Sequence, residues 1–229
     1  MTMKDFIQKN TSYFGIIGSL VILISSFFSG LAYKGRTPDQ PYTIFTYFIS
    51  ELGEIGISEL AWLFNVGLLV GGSVLFFFIL GLQLNYPSKL GVLAMIIGCY
   101  AAISGALVGV FSMDLNDIPP HGITALGFFF GGMIAVLLFS LIILFDKSKR
   151  IPKIYSILGF MSTLFFALFI ISIFSINVVD FDFDKIMSGG ISRPDVFWTL
   201  PFFEWGVLIS VLAWIILISI HILRKNARE

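Results

Sequence analysis

The chain has 229 residues and a formal net charge of zero; 57% of the residues are hydrophobic, 12% are charged, and the mean hydropathy is +0.96. Soluble domains carry about 25% charged residues, so this composition excludes a water-soluble globule and indicates one membrane domain over residues 1–229. With zero net charge we expect no nucleic-acid partner, and the single cysteine, Cys99, has no partner for an intrachain disulfide.

Six apolar runs are long enough to cross a bilayer, which requires about 20 residues of helix. In chain order they lie at about residues 13–33, 60–82, 90–111, 122–145, 154–179 and 199–223. The first run is too long for a secretory signal and lacks a convincing cleavage site, so it is interpreted as a retained span. The sequence therefore predicts an all-α integral membrane protein with six transmembrane helices in one bundle.

The distribution of charge predicts the orientation of these spans. The side with both termini and the two short basic turns holds ten of the 14 Lys and Arg residues: Lys4, Lys9, Lys89, Lys147, Lys149, Arg150, Lys153, Arg224, Lys225 and Arg228. Because Lys and Arg concentrate on the cytoplasmic side, both termini are predicted to be cytoplasmic. Most carboxylates then lie on or near the outer face.

Spans two, three and four each contain two glycines four residues apart. The motifs are "GLLVG" (Gly67 and Gly71), "GALVG" (Gly105 and Gly109) and "GFFFG" (Gly127 and Gly131). Glycines at this spacing let helices approach closely in lipid, which predicts a tightly packed central bundle.

The first outer loop contains the aromatic stretch "PYTIFTYFISELG", residues 41–53. It is too short to span, so we expect an interfacial or partly inserted segment. Its end, Ser50 and Glu51, is predicted to reach a polar pocket at the outer mouth of the bundle. Glu54 and Glu59 are instead expected to be solvated.

Two further polar residues lie a few residues inside predicted spans, Asn65 in the second and Glu204 in the sixth. Glu204 is about 7–8 Å below the outer boundary at 1.5 Å per residue. A carboxyl within a span is costly and usually faces the protein interior. The alternative is a later helix start, with Glu204 extending to the headgroups.

The junction of spans three and four, "GVFSMDLNDIPPHGIT", adds Asp114 and His121. A histidine at a helix N-terminus tends to be neutral, and a neutral imidazole serves as a base, a hydrogen-bond partner or a metal ligand. The alternative is an ordinary interfacial histidine that caps the helix.

"ISELG", "WLFNVGLLVGG" and "GVFSMD…PPHGITALGFFFGG" together resemble a prokaryotic membrane-protein family catalogued as domain of unknown function 998. That family is distantly similar to the six-span Frag/DRAM/Sfk proteins, which are linked to lipid handling. The resemblance implies a lipid-related role in the prokaryotic cell membrane. It also implies five pocket residues: Ser50, Glu51, Asn65, Asp114 and His121. We add Glu204 to this set of pocket residues because it lies several residues inside the sixth span.

Three functions remain open from the sequence. In the first, the pocket binds a membrane lipid or its headgroup, and its acidic rim favours a cationic or hydroxyl-rich group. In the second, a lipid hydrolase or transferase uses Glu51, His121 and Glu204 for acid–base chemistry, with Ser50 as a remote candidate nucleophile. In the third, Glu204 belongs to a transporter or ion pathway. We expect no cofactor and assign no metal site.

Overall fold

The computed structural model describes residues 1–35, 41–112, 119–148, 150–175 and 197–228. Within these residues, six helices are long and apolar enough to cross a membrane. They are α1 (Met3–Ala32), α2 (Ala61–Asn85), α3 (Lys89–Val108), α4 (Pro119–Phe145), α5 (Ile154–Ser175) and α6 (Thr199–Asn226). A short 3₁₀ helix, Ile49–Gly53, lies between α1 and α2. The predicted all-helical fold with six spans is confirmed.

Two helices begin earlier than the hydrophobic pattern indicates, because capping extends them beyond their apolar core. In α1, the Thr2 hydroxyl accepts a hydrogen bond from the Asp5 amide, and the Asp5 carboxylate accepts one from the Thr2 amide. In α4, two prolines occupy the first helical positions, where an amide hydrogen is not needed. The fifth predicted span runs beyond residue 175, outside the described residues.

The helices form a closed ring. Each long helix packs against its neighbours in the chain, and α6 returns to pack against α1. The buried side chains that face the centre of the ring are mainly Leu, Ile, Val and Phe. All six helices therefore surround one interior.

Contacts between helix ends show which ends of the helices lie together. Asn85, in the last turn of α2, donates to Thr11 in α1 over 2.9 Å, and His221 near the end of α6 contacts the carbonyl of Arg150. At the other end, Ser29 of α1 donates to the Leu60 carbonyl before α2. We call the end with Asn85 and His221 the terminus end, because it holds both chain termini. We call the end with Ser29 the Glu204 end.

The glycine motifs lie at contacts between neighbouring helices, as predicted. The contacts do not all join the same pair of helices. Gly71 of α2 faces α1, where a Cβ would lie 2.9 Å from the Gly18 carbonyl oxygen. Gly131 of α4 faces α3, where a Cβ would lie 3.1 Å from the Ala101 Cβ. The close contacts therefore extend to α1, beyond the three central spans.

Replacing Gly71 with alanine should weaken the contact between α1 and α2. The new Cβ would lie 2.4 Å from Ile22 Cγ1 as well as against the Gly18 backbone, and overpacking of this kind costs about 1–3 kcal/mol. Thermal unfolding of the purified protein should show the loss. Gly122→Ala is the control, since its Cβ would meet nothing within 4 Å. Equal stability of the two variants would contradict the expectation.

Single-cysteine labelling tests the predicted orientation. In a Cys99→Ala background, Ile55→Cys at the Glu204 end and Ser148→Cys at the terminus end both place a thiol at an exposed position. If the termini are cytoplasmic, a membrane-impermeant maleimide should label Ile55→Cys in intact cells. It should label Ser148→Cys only after permeabilisation. The reverse pattern would invert the topology.

Candidate functional site

The segment between α1 and α2 folds back onto the Glu204 end of the ring. Tyr47 and Leu52 are almost completely buried, and the 3₁₀ helix packs against α1, α2 and α6. Tyr47, Ile49 and Leu52 supply the apolar part of this buried face. This part of the segment is therefore packed into the bundle.

Hydrogen bonds from two helices hold this segment in place. Asn65 of α2 donates to the Gly53 carbonyl over 2.8 Å, and the Trp205 indole of α6 donates to the Tyr47 carbonyl over 3.2 Å. Only glycine fits at position 53, because a Cβ there would lie 2.2 Å from the Asn65 side-chain oxygen. Asn65 thus positions the loop backbone.

Glu204 points inward from α6. The helix begins at Thr199, so Glu204 lies five residues inside it, and only 6% of the residue is exposed. Its Oε2 accepts a hydrogen bond from the Ile49 amide over 2.7 Å, and the Ser50 side chain is a second hydrogen-bonding partner. The alternative in which Glu204 extends to the headgroups is wrong, because its carboxyl is held by the loop.

Glu51 is a second buried carboxyl in the same region. It is fully buried, and its Oε2 accepts a hydrogen bond from the Phe48 amide over 3.0 Å. It lies close enough to Glu204 for the two carboxyl groups to interact electrostatically. Two acidic side chains therefore lie in one region, where the loop enters the ring.

Three tyrosines cluster at the Glu204 end, and the sequence analysis did not identify them. The rings of Tyr33, Tyr42 and Tyr47 contact one another with centroids 5.3–5.7 Å apart. Burial raises the pKa of Tyr42 above its usual value, and the nearby charges of Glu204 and Glu51 raise it further. In the sequence, the only indication of this cluster was that the three tyrosines lie near the predicted carboxyls. Tyrosines in such positions are also typical of an ordinary aromatic belt at the membrane surface.

His121 lies in the first turn of α4, at the Glu204 end. It is 7% exposed, and its Nδ1 lies 2.7 Å from the Phe111 carbonyl oxygen. A carbonyl only accepts, so Nδ1 carries the hydrogen in this contact. The histidine is thus held by the chain that leaves α3.

The two other loop glutamates differ from each other. Glu59 is exposed and paired with Lys34, as expected for a solvated residue. Glu54 is only 7% exposed, so the expectation that it is solvated is wrong. The amides of Ile57 and Ser58 both bond to the Glu54 carbonyl, and this turn folds residue 54 against the bundle.

A cavity of about 150 Å³ lies inside the ring. Helices α1 to α6 and the 3₁₀ helix all contribute lining residues. Along α4 the lining extends from His121 to Phe139, about 27 Å at 1.5 Å per residue. Ser50, His121 and Glu204 line one end, and below them the lining is apolar apart from Trp214. The Trp214 indole donates to the Tyr155 carbonyl, so polarity is concentrated at the Glu204 end.

The structure thus brings together part of the predicted pocket. Ser50, His121 and Glu204 line one cavity, whereas Glu51 and Asn65 lie in the loop contacts beside it. Asp114 falls outside the described residues. Among the residues that are described, no three His, Cys, Asp or Glu side chains are grouped to hold a metal ion.

Six apolar spanning helices define the chain as a polytopic integral membrane protein. It belongs to the family described as protein of unknown function (DUF998), which matches residues 16–221. No curated protein and no solved structure matches the chain. The distant similarity to Frag/DRAM/Sfk proteins and the prokaryotic membrane stay predictions.

Amide exchange tests whether Glu204 holds the loop. Glu204→Ala removes the acceptor of the Ile49 amide, and such a bond contributes about 1–3 kcal/mol, so exchange at residues 48–53 should accelerate about 5- to 150-fold. Glu204→Gln, whose amide oxygen still accepts, should have a smaller effect. Hydrogen exchange with mass spectrometry of the loop peptide measures both.

Glu59→Ala is the matched control for this measurement, because Glu59 is exposed and pairs with the exposed Lys34 in the same loop. It should leave exchange at residues 48–53 unchanged. Unchanged exchange in Glu204→Ala as well would mean that the loop is held without its carboxyl.

Proposed function

We propose that this protein binds a membrane lipid, with an aliphatic chain inside the helix ring and the polar end at the Glu204 end. The observation that carries this proposal is the internal cavity, which is apolar along its length and polar at one end. A lipid has the same division between chain and headgroup.

The chemistry of the lining favours an apolar occupant. The cavity has a volume of about 150 Å³, and below its polar end the lining is apolar apart from Trp214. An aliphatic chain would contact this lining without needing hydrogen bonds.

The length of the lining also suits a lipid chain. The hydrocarbon core of a bilayer is about 30 Å thick, so the chains of one leaflet fill about 15 Å. The lining of about 27 Å along α4 exceeds that length. A chain that entered at the Glu204 end would therefore find apolar contacts over its whole length.

The two alternatives from the sequence have weaker support. For an enzyme, Glu204 accepts from the Ile49 amide and His121 contacts the Phe111 carbonyl, so both groups hold backbone. For an ion pathway, the described lining offers one carboxyl at one end and an apolar surface below it. An ion crossing that surface would lose its hydration without compensation.

Lipid retention by cavity variants tests the proposal. Ala102 and Ala125 line the cavity and are half-buried, so Ala102→Phe or Ala125→Phe should fill it. The wild-type protein, extracted from its membrane and analysed by native mass spectrometry, should retain about one lipid per chain. Either variant should retain about tenfold less.

Ala213→Phe is the matched control, because Ala213 is exposed on α6 and does not line the cavity. It should retain lipid as the wild type does. Equal lipid in all variants, or none in the wild type, would overturn the proposal.

A further inference from the structure

We propose that the terminus end carries a second site, which binds the headgroup of an anionic phospholipid in a basic cleft at the end of α6. The residues that line this basic cleft are His221, Arg224, Lys225 and Arg228. The basic cleft and the cavity inside the ring share no lining residue. The proposal therefore goes beyond the binding of a lipid chain inside the ring.

The helical repeat places the four side chains of the basic cleft on one face of α6. Their spacing is i, i+3, i+4 and i+7, and residues at these positions are neighbours on the surface of a helix. The helix ends at Asn226, and the Arg228 amide then bonds to the Lys225 carbonyl over 3.0 Å. This turn keeps Arg228 beside the last turn of the helix. Three cationic side chains are therefore presented together.

His221 fixes this face of α6 against the turn between α4 and α5. Its Nε2 lies 3.1 Å from the Arg150 carbonyl oxygen, and its ring contacts that of Tyr155 with centroids 5.6 Å apart. A carbonyl only accepts, so Nε2 donates in this contact. The basic cleft is therefore held beside the turn that carries Lys147 and Lys153, which are both exposed.

Positive charge is in excess at this end of the bundle. The segments that meet here contain ten of the 14 Lys and Arg residues and three of the 14 Asp and Glu residues. Two of these three already have partners: Asp146 pairs with Arg150 over 3.1 Å, and Asp5 accepts a hydrogen bond from the Thr2 amide. The third, Glu229, lies outside the described residues, and the positive excess remains when it is counted. An anion is therefore the complementary ligand.

Arg224 and Arg228 have the chemistry to bind a phosphate group. Both residues are exposed, and neither pairs with a carboxylate among the residues that the structure describes. A guanidinium donates two parallel hydrogen bonds to the oxygens of a phosphate. Two arginines one helical turn apart can therefore hold one phosphate between them.

The depth of the basic cleft favours a lipid over a dissolved anion. From Trp205 to Leu223, α6 contains no Lys, Arg, Asp or Glu, and this stretch extends about 27 Å at 1.5 Å per residue. The hydrocarbon core of a bilayer is about 30 Å thick, so Arg224 and Arg228 lie at the level of the headgroups. A phospholipid of the leaflet at the terminus end therefore brings its phosphate to the basic cleft without leaving the membrane.

Photolabelling with two phospholipid probes tests the site. Both probes carry the same photoreactive group beside the glycerol; one is an anionic phosphatidylglycerol and the other a zwitterionic phosphatidylcholine. Each is added at low concentration to phosphatidylcholine vesicles that contain the full-length protein, and labelled residues are identified by mass spectrometry. A basic residue near the membrane surface gives about a fivefold preference for an anionic lipid. With two arginines, the phosphatidylglycerol probe should label residues 221–228 about 25-fold more.

Arg224→Gln and Arg228→Gln should each lower that preference about fivefold. Both residues are exposed, so these variants keep the buried contacts of α6. Lys89→Gln is the matched control, because it removes one exposed positive charge from the same end, at the start of α3. It should leave the preference unchanged. Equal losses in all three variants would mean that the overall charge of this end attracts the lipid, and would overturn the local site.

Competition separates a lipid site from a site for dissolved phosphate. Inorganic phosphate should lower the labelling no more than sodium chloride of the same ionic strength, because both then act only by screening. Stronger displacement by phosphate would assign the basic cleft to a dissolved anion and overturn the proposal. Equal labelling by the two probes would also overturn it. Ala102→Phe should leave the preference unchanged, so this result does not depend on lipid binding inside the ring.

Discussion

The hydrogen bond from the Ile49 amide to Glu204 is the contact on which the rest of the site depends. A carboxyl inside an apolar bundle has no water to bond to, so its donors must come from the protein. The amides of a helix are used within the helix, whereas the short 3₁₀ helix has amides to offer. Glu204 therefore requires a loop at the end of the ring, and the loop in turn requires Glu204.

This requirement connects the loop to the cavity. The loop packs against α1, α2 and α6 at the Glu204 end, and its Ser50 joins His121 and Glu204 in the lining. The ring leaves an apolar interior below because glycines bring neighbouring helices close while aliphatic and Phe side chains face inward. One arrangement thus creates both the polar end and the apolar length that together match an amphiphile.

The fold was more predictable than the site. Helices longer than about 20 apolar residues are defined by composition alone, and only capping at Thr2 and the prolines of α4 moved their starts. The site depended on the path of the loop. Glu54 was expected in water because charge usually lies there, yet a local turn buries it. Tyr42 was overlooked because a tyrosine in an aromatic run has many ordinary explanations.

The sequence by itself determined that this is a six-span membrane protein with polar residues at one end, since hydropathy and charge act locally along the chain. It also identified Ser50, His121 and Glu204 as pocket candidates. Only the tertiary structure decided that these three line one cavity while Asn65 and Glu51 hold the loop beside it. The physical reason is that residues 155 apart in sequence, Ile49 and Glu204, meet through the closure of the ring between α6 and α1. Neither the loop sequence nor the α6 sequence contains a pattern that predicts this closure.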